Sequence, residues 1–436
     1  MLRLVAAAAA AAFVPAVAAG AQVSPPATPR VGSPIGPPVP VGQASPAPLA
    51  PREGPLPASL TIQMALEEAQ ARSPAILAAR ARVEAAQARI RQAGFRLNPE
   101  LSVEVENFLG TGELSGLRQT EATVSVNQRL DLGGRRRTRV AAAQAELVAE
   151  QLRLAIAQAD LAQSVRLQFA RAVTARERLR IAEENEFNAR EVARVATILV
   201  NEGREPPLRG IRARSAAAQA AAELEAARAE ETAARGTLAG LFGVSTAPEA
   251  VTGGLLDLEP VTIDPEQSLE VRLAEAERLR AEAEVGSQVA HGRLDPAVGL
   301  GVRHVRESGD FALVGGVSMP LPIFDRNQGN VEAARAGVRS AEANVAGAMA
   351  SARVRTQNAI IAVEAAEARV RALEGAAVPE AAEALRLAQL SYQEGRATLL
   401  ELLDAQNAYR TAQLALIDAR LALATATAEL GRAAAR

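Results

Sequence analysis

Cysteine, lysine and tryptophan are absent from this 436-residue sequence, and aromatic residues make up only 2% of it. Without a thiol there is no thiolate nucleophile, no disulfide framework, no cysteine-ligated zinc and no cysteine to carry an N-terminal lipid. The two histidines, His291 and His304, have no carboxylate at metal-ligand spacing around them, and read as loop or strand residues ahead of ligands or acid–base groups. A surplus of one charge is missing too. Forty-eight basic residues, all arginine, stand against 50 acidic ones for a formal net charge of −2, so nothing suggests nucleic acid as a partner. Beyond the N-terminus no run of ~20 apolar residues could span a bilayer as a helix, so any membrane entry must use strands. Nucleophile–base pairings, phosphate loops and carboxylate/histidine clusters are lacking, and no catalytic residue or cofactor is expected. Gly133-Gly134-Arg135-Arg136 has neither the spacing nor the lysine of a phosphate loop.

Alanine supplies most of the 49% hydrophobic content. It is the best helix former and a poor core filler, which predicts long, closely packed helices. Met1-Leu2-Arg3 followed by the apolar run to Val17 and small residues near Ala21 reads as a secretory signal peptide over residues 1–21, with an Ala-rich leader as the bland alternative. Residues 22–58 are dense in Pro, Ala, Gly and Ser and predict an extended tether.

The remainder is an internal duplication. Arg96-Leu97-Asn98-Pro99 before alternating Leu101, Val103 and Val105 is answered by Arg293-Leu294-Asp295-Pro296 before Val298, Leu300 and Val302. Asn201-Glu202-Gly203-Arg204 is answered by Gln393-Glu394-Gly395-Arg396. The repeats are read as residues 59–243 and 263–436, joined by a linker over 244–262. Each predicts a helix, a strand hairpin, a very long helix, a tight turn and a returning helix.

Val140, Leu147, Leu154 and Leu161 recur at seven, as do Val331, Val338, Val345 and Ala352, which is a coiled-coil seam. Residues 135–199 contain no proline or internal glycine and predict one helix roughly 100 Å long at ~1.5 Å per residue. Gly375 and Pro379 predict a kink in the second counterpart. Strands are expected over residues 99–109, 120–130, 297–306 and 311–320. Their alternation suits a barrel wall that is apolar to lipid and polar to the lumen, and equally a soluble hairpin packed on helices. Four strands cannot close a barrel, so the first reading demands oligomerisation. Aromatic girdles are sparse, with only Phe108, Phe311 and Phe324 near the expected interfaces.

Residues 60–430 resemble the TolC-type outer-membrane efflux channels, and within them the cobalt-zinc-cadmium, CzcC-like branch. The resemblance is carried by Arg96-Leu97-Asn98-Pro99-Glu100-Leu101, Glu106-Asn107-Phe108, Pro320-Leu321-Pro322-Ile323-Phe324-Asp325-Arg326-Asn327-Gln328-Gly329, and Gly395 through Leu400-Glu401-Leu402-Leu403-Asp404-Ala405-Gln406. It implies a mainly α fold with a small β part: duplicated helical hairpins, and four strands per protomer that close a trimeric, twelve-strand barrel above a periplasmic helical tube. It also implies residence in the outer membrane of a Gram-negative bacterium, lipid around the barrel, a homotrimer, a periplasmic adaptor, an inner-membrane pump of RND type, and divalent heavy-metal cations as cargo. Drugs or organic solutes are the alternative cargo, and a secreted coiled-coil adhesive protein is the alternative class.

Candidate functional positions follow. Asp131, Gly133, Gly134, Pro320, Pro322 and Asp325 read as strand-to-helix corners, with Asp325 as an N-cap. Gly203, Gly395, Arg396 and Thr398 mark the hairpin tips, which in the resembling family meet the adaptor; Pro206 and Pro207 replace the threonine in the first tip. Glu401 and Asp404 share a face of the returning helix. They read as stacked carboxylate rings at a pore constriction, a position the resemblance supports, or as a solvated face paired with Arg209 or Arg212, which could latch the closed state.

Overall fold

A computed structural model describes residues 54–254 and 264–435. The expected signal peptide and most of the expected tether therefore lie outside the described residues. The chain runs β1 (Ser59–Leu60), α1 (Ile62–Arg72), α2 (Pro74–Gly94), β2 (Glu100–Glu106), β3 (Glu121–Arg129), α3 (Arg135–Asn201), α4 (Pro207–Gly240), β4 (Ala250–Val251), α5 (Leu269–His291), β5 (Ala297–Val305), β6 (Asp310–Ser318), α6 (Gln328–Ala372), α7 (Val378–Gln393) and α8 (Leu399–Ala433). Elements from α2 to α4 and from α5 to α8 follow the same order, as the duplicated landmarks predict.

Alanine sets how closely these helices pack. α3 is 67 residues long with no break, about 100 Å at ~1.5 Å per residue, and its neighbours are α2, α4, α5 and α8. On α6 the seam is narrow: Val345, Ala352, Thr356 and Ala359 are buried, while Val331, Ala334, Val338 and Ala341 are half-buried on the same line. On α3 contact with several helices spreads the buried set, and Leu147, Leu154 and Leu161 are only half-covered while Ala149, Leu152 and Val165 are buried. The predicted kink takes the form of a π-helical turn over Leu373–Ala377. There the Val378 amide donates five residues back to the Leu373 carbonyl, and Pro379, which has no amide to donate, follows at once.

The largest apolar cluster ties the first repeat together. Leu60, Val165, Phe169, Leu238, Phe242 and Val251 are all buried in it, and Leu56 packs against them. Parallel pairing of β1 with β4 joins Leu60 to Val251. Arg72 donates to the Gly54 carbonyl at 2.7 Å. Both the end of the expected tether and part of the expected linker are thus drawn onto the body, because Leu56 and Val251 have apolar surface to bury.

β2, β3, β5 and β6 form one antiparallel sheet in that order. The register puts Val103 opposite Val124, Val124 opposite Val302 and Val302 opposite Leu313, so one face is mostly apolar, with Gln128 and His304 as its polar residues. It is uncovered: Leu300 is 75% and Leu313 87% exposed. The other face carries Ser102, Glu104, Glu106, Thr123, Ser125, Asn127 and Arg303. β2 and β6 are both free edges. Among the described residues no helix is long and apolar enough to cross a membrane.

Candidate functional site

The strand-to-helix corners are built alike in both repeats. Gly134 precedes α3 with φ 75° and Asn327 precedes α6 with φ 63°, the left-handed region. Asp131 also has positive φ, and its carboxylate accepts the Arg136 amide at 3.0 Å. Asp325 is not the N-cap that the sequence suggested. Asn327 holds that place, and the Asp325 carboxylate accepts its amide at 2.8 Å, two residues short of the helix. Gln288 on α5 fixes the corner by accepting the Asn327 side-chain amide at 2.8 Å. Pro320 and Pro322 follow β6 directly, where no further ladder donor is required. Gly133 packs against Arg293, which donates to the Gly133 carbonyl at 3.1 Å. The Arg135 guanidinium binds the His291 and Arg293 carbonyls and, at 2.9 Å, the buried Asp295 carboxylate, so repeat one caps α5 of repeat two.

At the opposite ends the two hairpins turn by the same geometry. Gly203 (φ 71°) donates to the Val200 carbonyl at 3.0 Å and Arg204 to Leu199 at 2.9 Å. Gly395 (φ 72°) donates to Tyr392 at 3.0 Å and Arg396 to Ser391 at 2.8 Å. This pair of bonds is a Schellman ending, and it requires the left-handed residue that glycine supplies. Each tip also pairs its own charges, Arg204 with Glu202 at 3.7 Å and Arg396 with Glu394 at 3.3 Å.

The tips differ at the return. Pro206 and Pro207 open α4 without a side-chain cap. Thr398 opens α8 through a capping box with Glu401. Hydrogen bonds from Thr398, the backbone amide first and then the hydroxyl, hold the Glu401 carboxyl below the usual carboxylate range. Asp404 lies one turn on, exposed, with no ion-pair partner among the described residues. Arg209 does not reach Glu401 or Asp404 within the protomer; it is paired with Glu205 one turn earlier. Arg212 is exposed and unpaired among the described residues.

Behind these surfaces Ala193, Ala196, Ala213 and Leu399 are buried together, with Tyr392 and Leu403 against them, so the two hairpins share one small core at the tip. Burial, with the nearby Glu205 charge, pushes the Tyr392 hydroxyl above its ordinary value.

The pattern of the family described as outer membrane efflux protein matches residues 65–244 and 266–436. The chain belongs to this family. The family description places this efflux protein in the outer membrane. It is 34% identical over 293 residues to the nickel-cobalt-cadmium resistance protein NccC of Alcaligenes xylosoxydans xylosoxydans, a match spanning 64% of this chain and 65% of the relative, short of two thirds of that protein's length. It is 34% identical to the nickel and cobalt resistance protein CnrC of Cupriavidus metallidurans (64% and 68% covered) and 33% identical to the cobalt-zinc-cadmium resistance protein CzcC of the same organism (66% and 68% covered). Among solved structures, a CusC channel matches with a TM-score of 0.72 at 18% identity, covering 90% of this chain and 98% of that one. The outer membrane protein VceC of Vibrio cholerae matches at 0.69 and 23% identity, covering 86% and 96%. At these identities the structures establish the shared fold: long helices with a small sheet.

In this efflux protein the duplication carries information that the sequence reading passed over. Six and nine residues beyond the tip glycine, repeat one has Arg209 and Arg212 where repeat two has Glu401 and Asp404. Opposite charges thus occupy matching positions. Five residues beyond each glycine stands an exposed leucine, Leu208 or Leu400. Counting from the two glycines was the signal that would have found both.

Proposed function

We propose that the chain is one protomer of a trimeric exit duct for divalent heavy-metal cations. Three sheets close a twelve-strand barrel in the outer membrane, and the helical hairpins form a tube across the periplasm. The observation that carries this reading is the four-stranded sheet with one bare apolar face and two free edges. Apolar surface of that extent is suited to lipid, and backbone edges are not tolerated there, so each β6 must meet the β2 of a neighbouring copy. The metal assignment is supported by the names of the relatives, which concern resistance to nickel, cobalt, zinc and cadmium. The duct is passive and performs no catalysis; a periplasmic adaptor docks on the tips around Gly203, Gly395, Arg396 and Thr398, and an RND-type inner-membrane pump supplies the energy.

At the tips, Glu401 and Asp404 from three protomers ring the entrance, and Arg209 and Arg212 alternate with them by the pseudo-symmetry of the duplication. Charged rings of this kind select ions at a narrow mouth. Two experiments test the reading. Deletion of the gene is expected to sensitise cells to cobalt, zinc or cadmium, and unaltered metal tolerance would overturn the cargo. In planar bilayers Asp404→Ala trimers are expected to keep their assembly and to change conductance and cation block; unchanged values would remove Asp404 from the constriction.

A further inference from the structure

The outer end of the sheet holds a charged contact that the entrance does not explain. Arg303 on β5 faces the polar side, where it donates to Glu121 at 2.9 Å and to the Thr123 hydroxyl at 3.1 Å and lies 3.3 Å from Glu106. Glu106 and Glu121 are direct cross-strand partners at the last rung of β2 and β3. Like charges in that relationship destabilise a sheet, and two carboxylates so placed are also a ready pair of oxygen ligands for a divalent cation. A guanidinium from a third strand already occupies them.

The rest of that face puts this contact in a sequence. At its base Glu100 is matched by Arg129 at 3.6 Å. Above them the wall is neutral: the Ser102 and Ser125 hydroxyls bond at 2.8 Å, and Asn127 donates to Ser102 at 2.9 Å. Gly299 and Gly301 lie opposite, leaving the room these side chains fill. Carboxylates then gather at the outer end, with Glu104, Glu106, Glu121 and Asp310 facing in against Arg303 alone, and Arg118, Arg306 and Glu307 on the loops beyond. Conduction requires an ion to be bound firmly enough to enter and loosely enough to leave.

We propose that Arg303 is the built-in counter-ion of the outer mouth, occupying Glu106 and Glu121 so that a departing divalent cation is released and not held between them. The proposal rests on the reading of the chain as a cation duct and adds its release step.

The test uses full-length trimers in planar bilayers in KCl, with Zn²⁺ added on the side of the strand-connecting loops. Arg303→Gln is expected to lower the half-blocking Zn²⁺ concentration by about tenfold or more, since two free carboxylates replace a neutralised pair. Arg303→Lys is expected to block near the wild-type concentration, and Glu106→Gln/Glu121→Gln/Arg303→Gln to lose the added block. Intact Arg303→Gln trimers that block at the wild-type concentration overturn the proposal. A role confined to stapling strands predicts that outcome, with a metal-independent loss of heat-resistant trimer. If Arg303→Gln does not assemble, Glu106→Gln/Glu121→Gln with Arg303 retained decides: a shift of the reversal potential toward anions supports the proposal, and none overturns it. Because block is read without a pump or a cell, a deletion strain with ordinary metal tolerance would remove the metal-export reading and leave this result standing.

Discussion

Thr398 and Glu401 close on each other at the head of α8: the Glu401 amide donates to the Thr398 hydroxyl at 3.3 Å, and the Glu401 carboxylate accepts the Thr398 amide at 2.6 Å. A residue read as a docking contact is therefore also the helix cap, and the carboxylate read as a pore ring is tethered to it. Thr398→Ala is expected to loosen the first turn of α8 by about 1 kcal/mol, the usual effect of losing such a cap. Hydrogen exchange of the Leu399 to Leu402 amides checks this, and Thr398→Ser should restore protection. The pH dependence has a definite sign. Because bonding to Thr398 lowers the folded-state pKa of Glu401, its contribution is complete above the ordinary carboxylate range and fades as pH falls through the lowered value. In Thr398→Ala, which loses the hydroxyl bond, the contribution should be smaller and should be exhausted at a higher pH.

Arg212 provides a test of the alternating tip. If three Arg212 and three Asp404 side chains share the entrance, removing the arginine leaves a purely acidic ring. Arg212→Ala trimers are then expected to move the reversal potential in a KCl gradient toward cation selectivity, and Asp404→Ala to move it the other way. Arg209 should have the weaker effect, since Glu205 already neutralises it within the protomer.

Much of this was legible from spacing. Alternation placed the four strands within a few residues, the long gap between breakers gave α3 its length, and two glycines located both tips. What escaped has physical causes. The pairing of β1 with β4 involves two residues each, too short to leave a periodic trace, and depends on burying Leu60 from the start of repeat one with Val251 from the linker that follows it. The Asn327 cap was missed because aspartate and asparagine both favour helix starts, and only backbone geometry chooses the one that adopts positive φ. Arg303 escaped because its partners come from two other strands and become neighbours only once the repeats pair.

Asn327 and Gly134 should be partly exchangeable. Both corners need a left-handed residue, which costs an ordinary side chain roughly 1–2 kcal/mol. Asn327→Gly keeps the conformation and loses the bonds to Gln288, so a small loss is expected. Asn327→Ala loses both and should be the more destabilising, while Gly134→Val should be worse than Gly134→Asn. Thermal or denaturant dissociation of purified trimers gives the ranking.

The glycines of the sheet separate a steric requirement from a conformational one, since none of Gly299, Gly301 and Gly316 has positive φ. A Cβ on Gly301 would lie 2.6 Å from both the Ser125 Cβ and the Val124 carbonyl oxygen, so backbone must move. On Gly299 it would strike the Asn127 side-chain oxygen, which can swing aside if it gives up its bond to Ser102. On Gly316 it would meet nothing within 4 Å in the protomer. Alanine substitutions should therefore rank Gly316 mildest, Gly299 intermediate and Gly301 most severe, the last losing about 1–3 kcal/mol as overpacked sites do. The β3–β5 ladder that Gly301 permits is the seam between the two repeats, so Gly301→Ala should reduce heat-resistant trimer in the outer membrane while leaving helical content unchanged. Equal trimer yields from all three variants would show that the wall yields more readily than the contacts at Gly301 imply.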